Sequence, residues 1–213
     1  MRFLKPFPCA PEIYYLLELP LAQSPEAVMK QLIDETPWRA ENIVVWGKTV
    51  SQPRLIAWYG DKGAHYTYSG IHHDPLPWTD VLIDIKNRVE KVVGTSFNSV
   101  LLNYYRHHRD SMGLHSDDEP ELGSRPTIAS VSLGEERTFI LKHKTRRDLK
   151  SVRLKLAPGS LLLMKGDTQH CWKHGIEKEK LPRGPRINLT FRRIYQIRAR
   201  KNSCPPSAAL KSE

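Results

Sequence analysis

The spacing of apolar and polar residues changes character twice along the chain. Residues 1–23 hold short apolar runs broken by Pro6, Pro8, Pro11, Glu12 and Glu18, which suits an irregular or edge-strand lead-in and not a helix. Ser24-Pro25-Glu26 then supplies an N-cap, a proline at the first helical position and an acid in the first turn. A helix is predicted from there to about residue 36, before Pro37. Between 42 and 70 apolar and polar positions alternate among Gly47, Pro53, Gly60, Gly63 and Gly70, the pattern of short strands and hairpins. A second helix opens at Thr79: Val81, Leu82, Ile85, Val89, Val92 and Val93 share one face at spacings of three and four, and Gly94 stops it. Beyond Gly94 the period is two, and 99–105, 127–133, 137–143, 151–156, 160–164 and 186–194 read as strands separated by turns such as Pro158-Gly159.

Two helices followed by a run of strands, with no helices alternating among them, exclude a doubly wound parallel sheet. The pattern predicts an α+β chain: an antiparallel barrel or double-sheet jelly roll with helices packed on one face. A length of 213 residues suits one domain. Residues 199–213, with two prolines, small residues and charges, are expected to form a flexible tail.

Composition adds limits. With 39% hydrophobic and 26% charged residues the chain is of ordinary globular type, which excludes disorder as a whole. A net charge of +10 suits a polyanionic partner such as nucleic acid, although many basic proteins gain only solubility from it. Three cysteines, Cys9, Cys171 and Cys204, make neither a disulfide framework nor a CxxC pair, so a reducing, intracellular compartment is expected: the cytoplasm of a bacterium, or also the nucleus of a eukaryote. No apolar stretch approaches the ~18–20 residues of a membrane span, and no cleavage site follows a clean apolar core. Neither a secreted nor an integral membrane protein is expected.

Candidate chemistry begins with the histidines. His65, His72, His73, His107, His108 and His143 lie in loops or at strand ends with no acid two positions away, and read as exposed polar residues. His115 differs. Residues i and i+2 of an extended segment project to the same side, so His115 and Asp117 in Gly113-Leu114-His115-Ser116-Asp117 can converge on one ion. Alone, such an HxD pair is more often turn chemistry. A third histidine strengthens it: His174, in the later stretch Gln169-His170-Cys171-Trp172-Lys173-His174. Two histidines and one carboxylate on one face of a metal are the ligand set of non-haem Fe(II) oxygenases. Next, Arg186, Asn188, Thr190 and Arg192 share one face of a strand. Two inward guanidiniums are costly without an anion, and a dicarboxylate such as 2-oxoglutarate satisfies both; a solvated edge strand is the plain alternative.

HSDDE, a distal histidine and RINLTFR, in this order, resemble the AlkB family of Fe(II)- and 2-oxoglutarate-dependent dioxygenases. The resemblance spans roughly residues 38–195 and takes in QPRLIAWYG, YTYSG, FNSVLLNYY, PTIASVSLGEERTF and PGSLLLM; it is strongest to the members that repair alkylated nucleobases. It implies a double-stranded β-helix (jelly roll) of antiparallel strands with supporting N-terminal helices and a nucleotide-recognition lid. The divisions implied are a lead-in and helix at 1–37, lid hairpins at 38–78, a dioxygenase core with its supporting helix at 79–198, and the tail at 199–213. It implies iron ligation by His115, Asp117 and His174, with His170 a decoy. It further implies that Arg186 clamps the distal carboxylate of 2-oxoglutarate, that Arg192 approaches its chelating end, and that Asn103, Tyr105, Asn188 and Thr190 bond the same cosubstrate, with O2 as the oxidant.

For the substrate the resemblance implies a flipped base held by Tyr66, Tyr68 and Ser69, with Tyr68 stacking opposite His115. Asp118 and Glu119 read the exocyclic amine, and Arg54 lies in the lid. Trp46 either inserts into a vacated base stack or packs under the lid. The basic turn Lys142, His143, Lys144, Arg146 and Arg147 is either a solvated loop or a set of phosphate contacts. The function implied is oxidative demethylation of N-alkylated bases of the 1-methyladenine and 3-methylcytosine type in DNA, with formaldehyde, succinate and CO2 as products. Rivals are an AlkB-type oxygenase acting on RNA or protein, and a catalytically silent nucleic-acid-binding module. The partner expected is alkylated DNA, with RNA also open; no membrane partner is expected, and the chain is expected to be a monomer.

Overall fold

The computed structural model describes residues 10–45, 47–64, 66–68 and 71–195. In chain order they form β1 (Glu12–Leu16), α1 (Pro25–Glu35), β2 (Arg39–Val45), β3 (Lys48–Gly60), β4 (Tyr66–Tyr68), β5 (Ile71–His73), α2 (Asp80–Val93) and β6 (Ser99–Tyr105). There follow β7 (Met112–His115), a 3-10 turn at Pro120–Leu122, β8 (Ile128–Gly134), β9 (Arg137–His143) and β10 (Val152–Leu156). The chain then adds β11 (Leu161–Lys165), α3 (Thr168–Cys171), β12 (Trp172–Ile176) and β13 (Arg186–Arg192). A seven-stranded sheet runs β1-β11-β8-β13-β6-β3-β2, a four-stranded sheet runs β10-β9-β12-β7, and β4 pairs with β5. The strand pairs within these sheets are antiparallel. This is the expected jelly roll, with two sheets facing each other and both long helices on the outer face of the larger one.

Period two on the central strands decides what lies on each face. On β13, Ile187, Leu189 and Phe191 point into a core shared with Val28, Met29 and Leu32 of α1 and Leu82, Ile85 and Val89 of α2. The intervening Arg186, Asn188, Thr190 and Arg192 line the cavity between the sheets. All seven residues of β13 are buried. A second apolar cluster, with Leu101, Ile128, Phe139, Leu141, Leu162, Met164, Trp172 and Ile176, fills the space between the sheets around that cavity. At about 25 cal/mol per Å² of apolar surface, these two layers supply the principal stabilisation of the fold.

The helices begin and end for the reasons read from the sequence, with two differences. Ser24 caps α1 by accepting a hydrogen bond from the Ala27 N–H, and Gly94 ends α2 at φ 70°, a left-handed conformation that favours glycine. Thr79 holds the N-cap position of α2, but its hydroxyl makes no capping bond and is buried without a partner. Val92 is 47% exposed, because at about 100° per residue it falls on the flank of the stripe centred on Leu82, Ile85 and Val89.

Three further expectations are corrected. The stretch expected as short strands contains one thirteen-residue strand, β3. Pro53 does not break it, because the β2–β3 register shifts between Ala40 and Asn42, so the proline faces no ladder partner there. Strands β7 and β12, short and unmarked by alternation, escape a periodicity reading but pair with each other. Cys171 is disulfide-bonded, against the expectation of separate thiols; Cys9 and Cys204 lie outside the described residues. Among the described residues no helix is long and apolar enough to cross a membrane.

Candidate active site

Three side chains from the smaller sheet and the loop after it form the centre of the cavity. His115 ends β7 and His174 sits in β12, directly opposite in register. The strands close up where a side chain on Gly175 would meet the Met112 carbonyl oxygen at 2.7 Å, and the register shifts between His174 and Ile176. The two imidazole centroids are therefore only 4.3 Å apart. Asp117 lies just beyond β7, fully buried, with Oδ1 3.8 Å from His115 Nε2 and Oδ2 3.9 Å from His174 Nε2. One ligand atom from each of the three residues falls within 4.8 Å of the other two. His170, the decoy, sits on α3 and contacts the Ser124 carbonyl instead.

The local chemistry leaves these groups ready to hold a cation. His115 Nδ1 lies 3.0 Å from the Gly113 carbonyl, which can only accept, so the proton resides on Nδ1 and Nε2 offers its lone pair. Asp117 Oδ1 accepts from Arg192 Nη2 at 2.8 Å, whereas Oδ2 is buried with no hydrogen-bond partner. The Asp117 N–H donates to Gln169 Oε1 at 2.9 Å, and the Ser116 hydroxyl to the Trp172 carbonyl at 2.9 Å, which fixes the segment. Burial pushes the His174 imidazole down to about 3, helped by the neighbouring His115, and it also lowers His115. Burial alone would raise Asp117, but Arg192 and both imidazoles hold it at about 2. Two neutral nitrogens and one carboxylate with a free lone pair fit a divalent transition metal such as Fe(II).

A testable consequence is the acid sensitivity of the metal-free protein. The unfolded chain takes protons on both histidines near pH 6.5, while the folded site resists them. Proton uptake then favours the unfolded state, so stability present above about pH 6.5 is lost as pH falls towards the depressed value of His174, about 3. Thermal melts of the metal-free protein between pH 7 and 4 should show a steady fall in Tm. The double variant His115→Gln/His174→Gln should flatten it, and an equal slope in that variant would remove the histidines as its cause.

The other end of the cavity is cationic and polar. Its walls come from β6, β8 and β13, neighbours in the large sheet, with Asn103 opposite Asn188, Tyr105 opposite Arg186 and Ser132 opposite Asn188. Arg186 Nη2 donates to Ser132 Oγ and Asn188 Oδ1, both at 3.0 Å. Its Nε and Nη1 are buried with no hydrogen-bond partner. Burial lowers its ionisation to about 10, against the pull of Tyr105, whose ring lies 5.2 Å away. A guanidinium with two unmet donors inside a cavity fits a carboxylate. Asn188 also accepts from Ser130 at 2.8 Å and donates to Thr190 at 2.6 Å. Ser130 and Ser132 went unread in the sequence, although IASVSLG carries them as the small polar members of an alternating strand.

The residues expected at the substrate are less convergent. Arg54, expected in the lid, is 3% exposed and donates from Nε to Asn103 Oδ1 at 2.7 Å, so it supports the wall of the cavity. The reason is the continuity of β3 with the large sheet, where Leu55 to Gly60 pair with β6. Asp118 is exposed and forms an ion pair with Lys144 at 2.8 Å; Glu119 is half-buried at the start of the 3-10 turn. Arg146 pairs with Asp148 at 2.6 Å, so the basic turn carries less free charge than its sequence suggests. Tyr66 and Tyr68 lie on β4, opposite His73 and Ile71. Trp46 and Ser69 lie outside the described residues.

Known proteins resemble this chain in sequence and in fold. The sequence matches the 2OG-Fe(II) oxygenase superfamily over residues 14–192. It is 44% identical over 176 residues to human alpha-ketoglutarate-dependent dioxygenase alkB homolog 3, covering 79% of this chain and 61% of that protein. It is 43% identical over 176 residues to the bovine DNA oxidative demethylase ALKBH2, covering 80% of this chain and 63% of that one. The chain thus spans a little over three-fifths of the length of these relatives. A solved structure of OsALKBH1 shares the fold, with a TM-score of 0.59 at 18% identity, covering 86% of this chain and 97% of that one. With a match that runs from β1 to the last residue of β13, and so through both walls of the cavity, the chain belongs to the 2OG-Fe(II) oxygenase superfamily.

Proposed function

We propose that this chain oxidatively demethylates N-alkylated nucleobases in DNA, with 1-methyladenine and 3-methylcytosine as the substrate type. The observation that carries the reading is that both histidines of the His-Asp-His cluster and an unsatisfied guanidinium line one cavity. Relatives of 43–44% identity named as an alkB homolog and as a DNA oxidative demethylase support the substrate class.

In this reading His115, Asp117 and His174 hold Fe(II), and Arg186 holds the far carboxylate of 2-oxoglutarate with Asn103, Tyr105, Asn188 and Thr190 around it. Iron with 2-oxoglutarate and O2 supplies oxidation of an N-methyl C–H bond to C–OH, leaving succinate and CO2. The N-hydroxymethyl group then breaks its C–N bond, releasing formaldehyde and the restored base. Arg192 keeps Asp117 ionised and holds Oδ1, leaving Oδ2 without a hydrogen-bond partner. The apolar surroundings, Leu101, Phe139 and Met164, exclude water from the reacting centre. Asp118 and Glu119 favour the cationic charge of a methylated base, and Tyr68 provides a stacking face. The base must leave its stack to reach such a cavity, a step that costs a few kcal/mol in a duplex.

The test is formaldehyde release from matched single- and double-stranded oligonucleotides bearing one 1-methyladenine or 3-methylcytosine, with a methylated RNA strand alongside. Turnover that requires Fe(II) and 2-oxoglutarate is expected on DNA. Release from RNA alone would move the substrate to that polymer. Cosubstrate turnover with no formaldehyde from any of the strands would remove nucleobases from the reading. Tyr68→Ala should slow both strand forms alike, since stacking is worth ~1–3 kcal/mol per base in either. Trp46→Ala should selectively slow the duplex if that residue fills the vacated stack.

A further inference from the structure

Behind the cationic end of the cavity lies a second guanidinium that the proposed chemistry does not use. Arg137 opens β9, and its side chain has no exposed surface. Its Nη2 donates to the carbonyls of Asp110 at 3.0 Å and Glu177 at 2.6 Å, and Nη1 reaches the His107 carbonyl at 3.5 Å. Its Nε lies 3.3 Å from Glu179 Oε1, and Glu179 in turn pairs with Arg183 at 2.7 Å. One side chain thereby ties the loop after β6, which carries Tyr105, to the loop after β12, which leads into Arg186.

The same guanidinium lies 5.8 Å from the centroid of the Tyr105 ring, while Arg186 lies 5.2 Å from that ring. Both distances are within cation–π reach. Tyr105 is thus held by two cations, and its ring position is coupled to both. Two buried guanidiniums against one ring also repel, and the positive charge of Arg137 lowers the ionisation of Arg186. An incoming carboxylate relieves that repulsion, so the pair attracts an anion more strongly than Arg186 does alone.

We infer that Arg137 is a positioning residue for the far carboxylate of 2-oxoglutarate, acting through Tyr105 and as a second cation behind Arg186. The inference rests on the reading of this cavity as a 2-oxoglutarate site. Glu179 sets how much of the Arg137 charge the anion feels, since it is the carboxylate that partly neutralises it.

The experiment is calorimetric titration of the Mn(II)-loaded protein, which binds without turning over, with 2-oxoglutarate and with 2-oxobutyrate, which lacks the far carboxylate. Arg137→Met should weaken 2-oxoglutarate roughly tenfold to thirtyfold while leaving 2-oxobutyrate within about twofold, with Arg137→Lys between. A merely structural arginine would shift both ligands together, and that result, or no shift at all, overturns the inference. Where the Arg137 variants fail to fold, Glu179→Gln decides: it should selectively tighten 2-oxoglutarate, and any other pattern overturns the inference. Arg186→Ala run in parallel separates the two levels. If it too leaves 2-oxoglutarate unaffected, the reading of the cavity fails; if it alone weakens that ligand, only the role of Arg137 does.

Discussion

Turnover should fall to background in His115→Ala, Asp117→Asn and His174→Ala, while His170→Ala should retain wild-type activity. The three residues place one ligand atom each within 4.8 Å of one another, and loss of any one leaves too few donors on that face to hold the metal in position. Metal affinity, measured by Co(II) absorption in the same variants, should fall with activity, and circular dichroism should show a retained β-sheet fold. Asparagine is the better replacement at position 117, because removing the carboxyl group outright would leave Arg192 without its 2.8 Å partner and cost about 3–5 kcal/mol of stability. Gln169→Leu, which removes the acceptor for the Asp117 N–H along with a weak bond to the Met164 sulfur, should cost about 10- to 100-fold in metal affinity and not abolish it. Normal activity in His174→Ala together with loss in His170→Ala would transfer the third ligand to α3.

Arg186→Ala should raise the Kd for 2-oxoglutarate by two to three orders of magnitude or more. A buried charge-assisted pair broken on one side costs about 3–5 kcal/mol, and each 1.4 kcal/mol is a factor of ten. Arg186→Lys should recover part of the loss, since an ammonium supplies the charge but not the two-pronged donor geometry. The sign of the stability effect should be opposite. Without the cosubstrate, Arg186 is a 1% exposed cation with two unmet donors, a costly arrangement. Arg186→Met should therefore leave the Tm of the cosubstrate-free protein unchanged or higher, while abolishing the rise in Tm that saturating 2-oxoglutarate gives the wild type. A fall in affinity that tracks a fall in Tm would mean that Arg186 supports the fold and not the ligand. Equal affinity in wild type and Arg186→Ala would take the carboxylate clamp out of the cavity.

The elements with strong local signals were legible without a structure. Ser24-Pro25-Glu26 and Gly94 mark helix ends through groups within a residue or two, and the alternation in β6, β8, β9 and β13 reflects burial on one or both faces. The four polar residues of RINLTFR stand out because period two assigns them to one face whatever the strand pairs with. Short β7 and β12 carry no comparable signal, since four or five residues with glycine among them fit a turn equally well.

The histidines and the carboxylate were nameable as one ligand set through the resemblance, but the contacts that bring them together were not. His115 and His174 come together through a strand register and a close approach at Gly175, which depend on chain segments 59 residues apart (174 − 115). The same holds for partners that carry no motif. Gln169 matters because α3 places it against the Asp117 N–H, Arg54 because β3 continues into the large sheet beside Asn103, and Arg137 because three loop carbonyls surround it. The sequence by itself determined the residue types, their faces and the family they resemble, because alternation and caps are local. Only the tertiary structure decided which buried polar groups are satisfied and which wait for a ligand, since that depends on what the neighbouring strands and loops bring within about 3 Å.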